Sequence, residues 1–390
     1  MNNNLKLNLK SLLKRYKILY NIYYMVASAL LKVIRLFVKT DNRLILFVSF
    51  GGRRYADSPK AIYECMLHDH RFSGYKLVWG FVNPSDFPEI ERKVNIDSIK
   101  YFITSLKARC WVTNVSIKRG LSYKGINTFS LYTGHGSPIK KCGKDVNREK
   151  VFASMANESS VNACLAQSVF EKEIRSRLLD IPSDEAYLIG APTNDILSNY
   201  KDNYRKEIRN GLGIEDNRKA ILYAPTFREY GNIGTFVMPI VDFNKWHQIL
   251  GDEFVILYRA HPVSNALAIR DEDWFIDVSK WEDIEPLMIA SDILISDYSG
   301  LITDYSIMHK PIYLWTYDYE QYEETRGLYF DVRKVLPYAE KEERLLSMIK
   351  EGYTQKQKDM LYRFQQEYAT VHGSATRKTV DLIFNKITHE

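Results

Sequence analysis

Residues 293–305 read Ile293-Leu294-Ile295-Ser296-Asp297-Tyr298-Ser299-Gly300-Leu301-Ile302-Thr303-Asp304-Tyr305. The first four are a short apolar run, the pattern of a strand buried on both faces. Small and polar residues then make a tight turn, and a helical pattern begins at once. Strand, turn and helix in immediate succession form the repeating unit of a doubly wound parallel sheet. Ligands of such sheets bind beyond the carboxyl ends of the strands. Here the backbone N–H groups at the helix start suit a phosphate, Ser299 adds a hydroxyl and Gly300 keeps an open N–H. Asp304 lies one turn further on the same face, where it is placed to accept from a ribose or polyol hydroxyl.

The same unit recurs along the chain. Apolar runs fall at Leu44–Phe50, Tyr75–Phe81, Trp111–Val115, Thr128–Tyr132 and Val161–Ala166, and again at Ala220–Ala224, Phe254–Arg259, Trp274–Val278 and Pro311–Trp315. The polar stretch Asn199–Asn217, which contains Gly211-Leu212-Gly213, divides them into two sets. With 390 residues there is chain for two domains of ordinary size. The fold class is therefore α/β, with two Rossmann-like domains at 41–200 and 201–390 and a separate segment at 1–40. Hydrophobic residues at 45% and charged residues at 26% are the mix of a globular chain, which argues against disorder and against a polytopic membrane protein.

The residues with chemical potential gather at the predicted strand ends. Gly51-Gly52-Arg53-Arg54 follows the first strand and leads to Asp57-Ser58-Pro59-Lys60. Arg53, Arg54 and Lys60 are candidates for binding an anion or the acceptor, and Asp57 or Ser58 for capping a helix that has Pro59 at its start. Thr133-Gly134-His135-Gly136-Ser137-Pro138 follows the strand at Thr128–Tyr132, with Lys140 and Lys141 close behind. A histidine between two glycines has little packing around it, and imidazole takes a proton from a hydroxyl near neutral pH. Pro225-Thr226 follows the strand at Ala220–Ala224 and offers a hydroxyl and an N–H to phosphate. Arg259-Ala260-His261-Pro262 ends the strand at Phe254, and two residues apart on an extended strand point to one side.

Other chemistries leave no trace. There is no Walker-type GxxxxGK[ST], no well-formed GxGxxG and no Gly-x-Ser-x-Gly elbow. Cys65, Cys110, Cys142 and Cys164 form no CxxC pair and have no histidine at zinc spacing, so they read as free thiols. No metal and no cofactor is expected; Arg, His, Lys and helix starts supply the charge for a diphosphate.

The net charge of +6 is unevenly placed. Residues 1–40 hold eight basic residues and no acidic one, which leaves the other 350 at −2. Ile18–Leu31 is uncharged but has 14 residues, short of the roughly 20 that span a bilayer. Apolar residues continue past Lys32 and Arg35, the pattern of a helix lying in the membrane interface on anionic lipid. Two plainer readings stand beside it: a helix packed on the body, and a signal peptide suggested by Ala27-Ser28-Ala29. The arm is too aliphatic for nucleic acid, which is not an expected partner.

Taken in order, Tyr55-Ala56-Asp57-Ser58-Pro59-Lys60, Gly134-His135-Gly136-Ser137-Pro138, Gly190-Ala191-Pro192-Thr193-Asn194-Asp195, Ala224-Pro225-Thr226, Arg259-Ala260-His261-Pro262 and Ser296-Asp297-Tyr298-Ser299-Gly300 resemble the CDP-glycerol glycerophosphotransferase family, over roughly residues 44–370. The resemblance implies a GT-B type transferase held peripherally on the cytoplasmic face of the bacterial cell membrane. It implies CDP-glycerol as donor and an undecaprenyl-diphosphate-linked saccharide as acceptor, for teichoic acid or capsule, with CMP released. His135 would be the general base; His261 and Arg259 would hold the donor diphosphate; Pro225, Thr226, Ser299 and Asp304 would match donor-binding positions. Thr193 stands where the family often has Arg, and Gly300 where it often has a second Ser. CDP-ribitol, a nucleotide sugar on the same architecture, and an idle membrane scaffold are the alternatives. Primase or polymerase action and the oligomeric state are left open.

Overall fold

The computed structural model describes residues 17–146, 160–228, 241–260 and 272–388. The first sheet is built from β1 (Asp41–Val48), β2 (Lys76–Phe81), β3 (Lys93–Asn95), β4 (Ala108–Thr113), β5 (Phe129–Tyr132), β6 (Ala163–Ala166) and β7 (Ala186–Leu188). Its order is β3-β2-β1-β4-β5-β6-β7, parallel throughout. The second holds β8 (Lys219–Tyr223), β9 (Phe254–Tyr258), β10 (Phe275–Asp277), β11 (Ile293–Ser296), β12 (Ile312–Trp315) and β13 (Tyr338–Ala339). Its order is β10-β9-β8-β11-β12-β13, again parallel. All ten expected strands are present within a few residues. The three additional ones, β3, β7 and β13, are edge strands of two or three residues.

Burial on both faces explains the unbroken apolar runs. In β1, Ile45 and Phe47 enter one core with Trp79 and Phe81, while Leu44, Leu46 and Val48 enter another with Trp111 and Tyr101. Each fully buried Leu, Ile or Phe stabilises by about 1.5–3 kcal/mol relative to exposure, so a one-residue slip of β1 would exchange two well-filled cores. Strand order reverses between β1 and β4 in the first sheet and between β8 and β11 in the second. Those two switch points are where a ligand crevice forms.

The last helix, Ala375–Thr388, follows the second domain in sequence but packs on the first. Val380, Ile383 and Ile387 join the core around Ile45 and Trp79. Asp195 accepts from the N–H groups of Ala375 and Thr376 at 2.8 and 2.7 Å. The core of the first sheet therefore includes this returning helix, which sequence order assigns to the second domain.

The helix Lys17–Phe37 packs on the body, one of the readings made from sequence. Tyr24, Ala27, Leu31 and Ile34 pack on the first domain, Ser28 accepts from the N–H of Ser122 at 3.0 Å, and Arg35 donates to the Lys124 carbonyl at 2.7 Å. Ile22, Val26, Leu30, Val33 and Phe37 recur at helical spacing on the opposite face and are exposed, Phe37 by 84%. Among the described residues, no helix is long and apolar enough to cross a membrane.

Candidate active site

The strand-end loops of both domains meet along one seam. After β1 the chain turns through Phe50, Gly51 and Gly52, all at positive φ. Arg53 is exposed and reaches back to the Phe50 carbonyl. Arg54 donates across the seam to the Glu282 carbonyl at 3.4 Å, and Lys60 pairs with Asp283 at 2.6 Å. The helix Asp57–Leu67 starts without a side-chain cap, and Pro59 is its third residue rather than its first. Asp57 turns inward instead.

His135 stands exposed beyond β5. Its Nδ1 lies 2.8 Å from the backbone oxygen of Asn114, and its ring meets that of Phe50 edge-on with centroids 5.9 Å apart. A carbonyl only accepts, so Nδ1 carries a proton, and in the neutral ring Nε2 is the nitrogen with the free lone pair. Gly134 is at φ 72°, and a Cβ there would sit 2.1 Å from the Arg175 guanidinium. That guanidinium donates to the carbonyls of Thr133 and Gly136 at 3.0 and 3.1 Å and pairs with Glu171. Glu171 also accepts from the Gln167 N–H and the Ser137 hydroxyl at 2.8 and 3.3 Å. A buried ion pair thus grips the histidine loop from behind. Burial pushes the Glu171 carboxyl up, and the charge of Arg175 is the main opposing influence.

In the second domain, Thr226 follows β8. Its N–H donates to Asp297 at 3.0 Å, while its buried hydroxyl has no protein partner. Asp297 follows β11, so this bond joins the two switch-point loops. Arg228, 2% exposed, pairs with Asp297 at 2.8 Å and Asp318 at 2.6 Å beneath the rings of Tyr298, Tyr317 and Tyr322. Burial works against the Arg228 charge, but Asp297 and Asp318 outweigh it and raise its pKa. Ser299 accepts from the Leu301 N–H at 3.3 Å.

Gly300 lies directly against the His135 loop of the first domain. A Cβ there would lie 2.5 Å from the Ser137 oxygen and 3.0 Å from its nitrogen. The absence of a Cβ at this position lets the Ser299-Gly300 turn rest against the His135 loop. Lys140 and Lys141 continue the contact: Lys140 bridges to Leu328 and lies over the Phe227 ring at 5.2 Å, and the Lys141 N–H donates to the Gly327 carbonyl at 2.9 Å.

The seam is rich in buried charge. Arg259 donates to the carbonyls of Val278 and Glu282 at 3.1 and 3.4 Å, sharing the latter with Arg54. Burial, aided by Arg54, brings its pKa down to about 10. Asp304 accepts at Oδ1 from Gln167 and Asn194 of the first domain, at 2.9 and 2.6 Å. Burial pushes its carboxyl up to about 7, with Glu171 and Asp57 adding to the rise. Thr193 donates to Glu285, whose carboxyl burial likewise pushes up to about 7. His261 lies outside the described residues. Asn114, Glu171, Arg175 and Arg228 were not singled out from sequence. The one available signal was Arg228 in the Pro225-Thr226-Phe227-Arg228 turn.

Two Rossmann-like domains whose switch-point loops face each other across a seam form an architecture of the GT-B type. The profile of the CDP-Glycerol:Poly(glycerophosphate) glycerophosphotransferase family matches residues 30–385, and the chain belongs to that family. It is 31% identical over 334 residues to the teichoic acid glycerol-phosphate transferase of Staphylococcus aureus, covering 80% of this chain and 84% of that one. It is 31% identical over 383 residues to the teichoic acid poly(glycerol phosphate) polymerase of Staphylococcus epidermidis, covering 90% of this chain but 52% of that one. The chain thus spans about half the length of that relative. Among solved structures, the wall teichoic acid polymerase TagF superposes with a TM-score of 0.82 at 29% identity, over 96% of this chain and 97% of that one.

Proposed function

We propose that the protein transfers glycerol phosphate from CDP-glycerol to a hydroxyl of a lipid-linked teichoic acid or capsule precursor and releases CMP. The observation that carries this reading is the placement of His135. Its ring is exposed, its Nδ1 is engaged, and its loop rests on the Ser299-Gly300 turn of the other domain. The acceptor hydroxyl gives its proton to Nε2 of His135 and its oxygen attacks the phosphorus that bears glycerol. The bond from that phosphorus to the bridging oxygen breaks, and the bridging oxygen leaves with CMP. Arg259, the Ser299-Gly300 backbone and, by family likeness, His261 offset charge on the leaving group. Positioning and charge stabilisation carry most of the rate, as in phosphoryl transfer generally.

The reaction belongs at a membrane surface on this reading. The exposed face of the helix Lys17–Phe37 carries Val26, Leu30, Val33 and Phe37, with Lys32 and Lys39 also exposed. Such a face seats in the interfacial layer while its lysines reach lipid phosphates.

The test is incubation with a lipid-linked disaccharide and CDP-glycerol, CDP-ribitol or a sugar nucleotide, with CMP release and product mass measured. Extension by one or more glycerol phosphate units is expected. Extension from CDP-ribitol alone would move the assignment to ribitol phosphate, and UDP or GDP release from a sugar nucleotide would overturn it. His135→Ala should lower turnover by ~10²–10⁴, the usual share of general acid–base catalysis. Turnover near wild type would remove His135 from the chemistry, whereas no CMP release from the wild-type chain with any donor would favour an idle scaffold.

A further inference from the structure

The Asn114 backbone oxygen that orients His135 sits in the loop after β4, and its position is fixed through its own side chain. Asn114 Nδ2 donates to Asp57 Oδ2 at 2.7 Å and to the Ser49 hydroxyl at 3.3 Å. Asn114 Oδ1 accepts from the Phe50 N–H at 2.8 Å, and the Phe50 ring faces His135. All of the amide's bonds therefore run to the loop after β1. Asp57 completes the frame: its other oxygen accepts from the Ser58 N–H, and its backbone is at φ 65°, a conformation that residues other than glycine, asparagine and aspartate rarely adopt. An ordinary helix start needs neither that backbone nor a buried carboxylate.

We propose that Asp57 is a positioning residue for proton transfer, acting through Asn114 to hold the His135 ring with Nε2 toward the acceptor and opposing the charge the ring gains. The inference rests on the reading of His135 as proton acceptor. The electrostatics agree with the geometry. Burial pushes the Asp57 carboxyl up, while the Ser58 N–H, the Asn114 amide and the positive form of His135 pull it back. A carboxylate stabilised by the imidazolium stabilises the imidazolium in return. The carboxylate binds an amide rather than the ring, so the orienting force passes through a backbone carbonyl.

A double-mutant cycle on the full chain tests this, with CMP release from CDP-glycerol in the presence of a lipid-linked acceptor as the readout. Asp57→Gly accepts the positive φ without strain and removes both carboxylate bonds. It should lower kcat by about 10–10²-fold, a part of the general-base contribution, and leave KM for CDP-glycerol within about twofold. Combined with His135→Ala it should cost no more than about threefold beyond His135→Ala alone, because residues acting as one unit are not additive. Asp57→Asn keeps the backbone preference and one acceptor oxygen, so it should fall between wild type and Asp57→Gly; it also stands in if Asp57→Gly fails to fold. Losses that multiply in the double variant, or an Asp57→Gly enzyme with wild-type kcat, overturn the role of Asp57 while leaving His135 in place. Wild-type turnover in His135→Ala overturns both.

Discussion

Replacing Gly300 by serine sets the seam against itself. The new Cβ would lie 2.5 Å from the Ser137 oxygen and 3.4 Å from the Gly136 carbonyl carbon. An ordinary contact needs about 3.4 Å, so the His135 loop must retreat by about 0.9 Å. Neither loop yields easily, since the neighbours are backbone atoms and Arg175 grips the Thr133 and Gly136 carbonyls from behind. Overpacking of this kind costs about 1–3 kcal/mol, and a misplacement of about 1 Å at a reacting centre costs up to ~10²-fold in rate. Gly300→Ser should therefore lower kcat by roughly 10–10²-fold. Donor affinity should stay within about threefold, because the residue 300 N–H and the Ser299 hydroxyl remain. Steady-state CMP release and equilibrium titration with CDP-glycerol separate the two quantities. A variant with wild-type kcat would show that the close approach of Gly300 to Ser137 has no part in turnover.

Further outcomes follow from the same geometry. Arg228→Met leaves Asp297 and Asp318 without their buried partner, a loss of about 3–5 kcal/mol, and should lower the thermal transition of the second domain and raise KM for the donor; an unchanged melting curve would refute the clamp. Asp304 and Glu285 have carboxyl pKa values raised to about 7 in the folded seam. The folded state then binds more protons than the unfolded one, so their contribution is complete in acid and declines between about pH 4 and 7, by up to about 1.4 kcal/mol per pH unit for each group. Urea midpoints across that range should fall, and Asp304→Asn should flatten the fall. Val26→Glu with Val33→Glu should abolish sedimentation with anionic vesicles while sparing transfer to a short soluble acceptor. This pair is a cleaner test than removing residues 1–39, which would also uncover the face packed through Leu31 and Ile34.

The strands were legible because parallel strands buried on both faces leave unbroken apolar runs, as Ile293–Ser296 does. β3, β7 and β13 were not: each supplies only two or three strand residues, and β10, equally short, was legible only because Trp274 and Val278 extend its run. The strand-end rule located His135, Thr226, Arg259 and Ser299 because each follows a strand directly. It missed Asn114, because the expected strand Trp111–Val115 ran over it whereas β4 ends at Thr113, and Glu171 and Arg175, which have the spacing of a solvated helix pair yet are buried behind Gly134. Asp304 shows the same limit: its helix face was readable, but Gln167 and Asn194 come to it from the other domain. No period in a sequence records which residues meet across a seam.

The returning helix Ala375–Thr388 gives the two domains a second covalent crossing, and the two crossings lie side by side. Ser198 meets His372 at 2.7 Å, and Asn199 donates to the Gly373 carbonyl at 2.8 Å. Paired straps at one place restrict relative motion largely to rotation about a line through them. Displacement then grows with distance from that pivot, so residues 198 and 373 move little while loops remote from it sweep the widest arc. A short rigid cross-link between the crossings should leave the arc intact, whereas a single tether at its far rim would stop it.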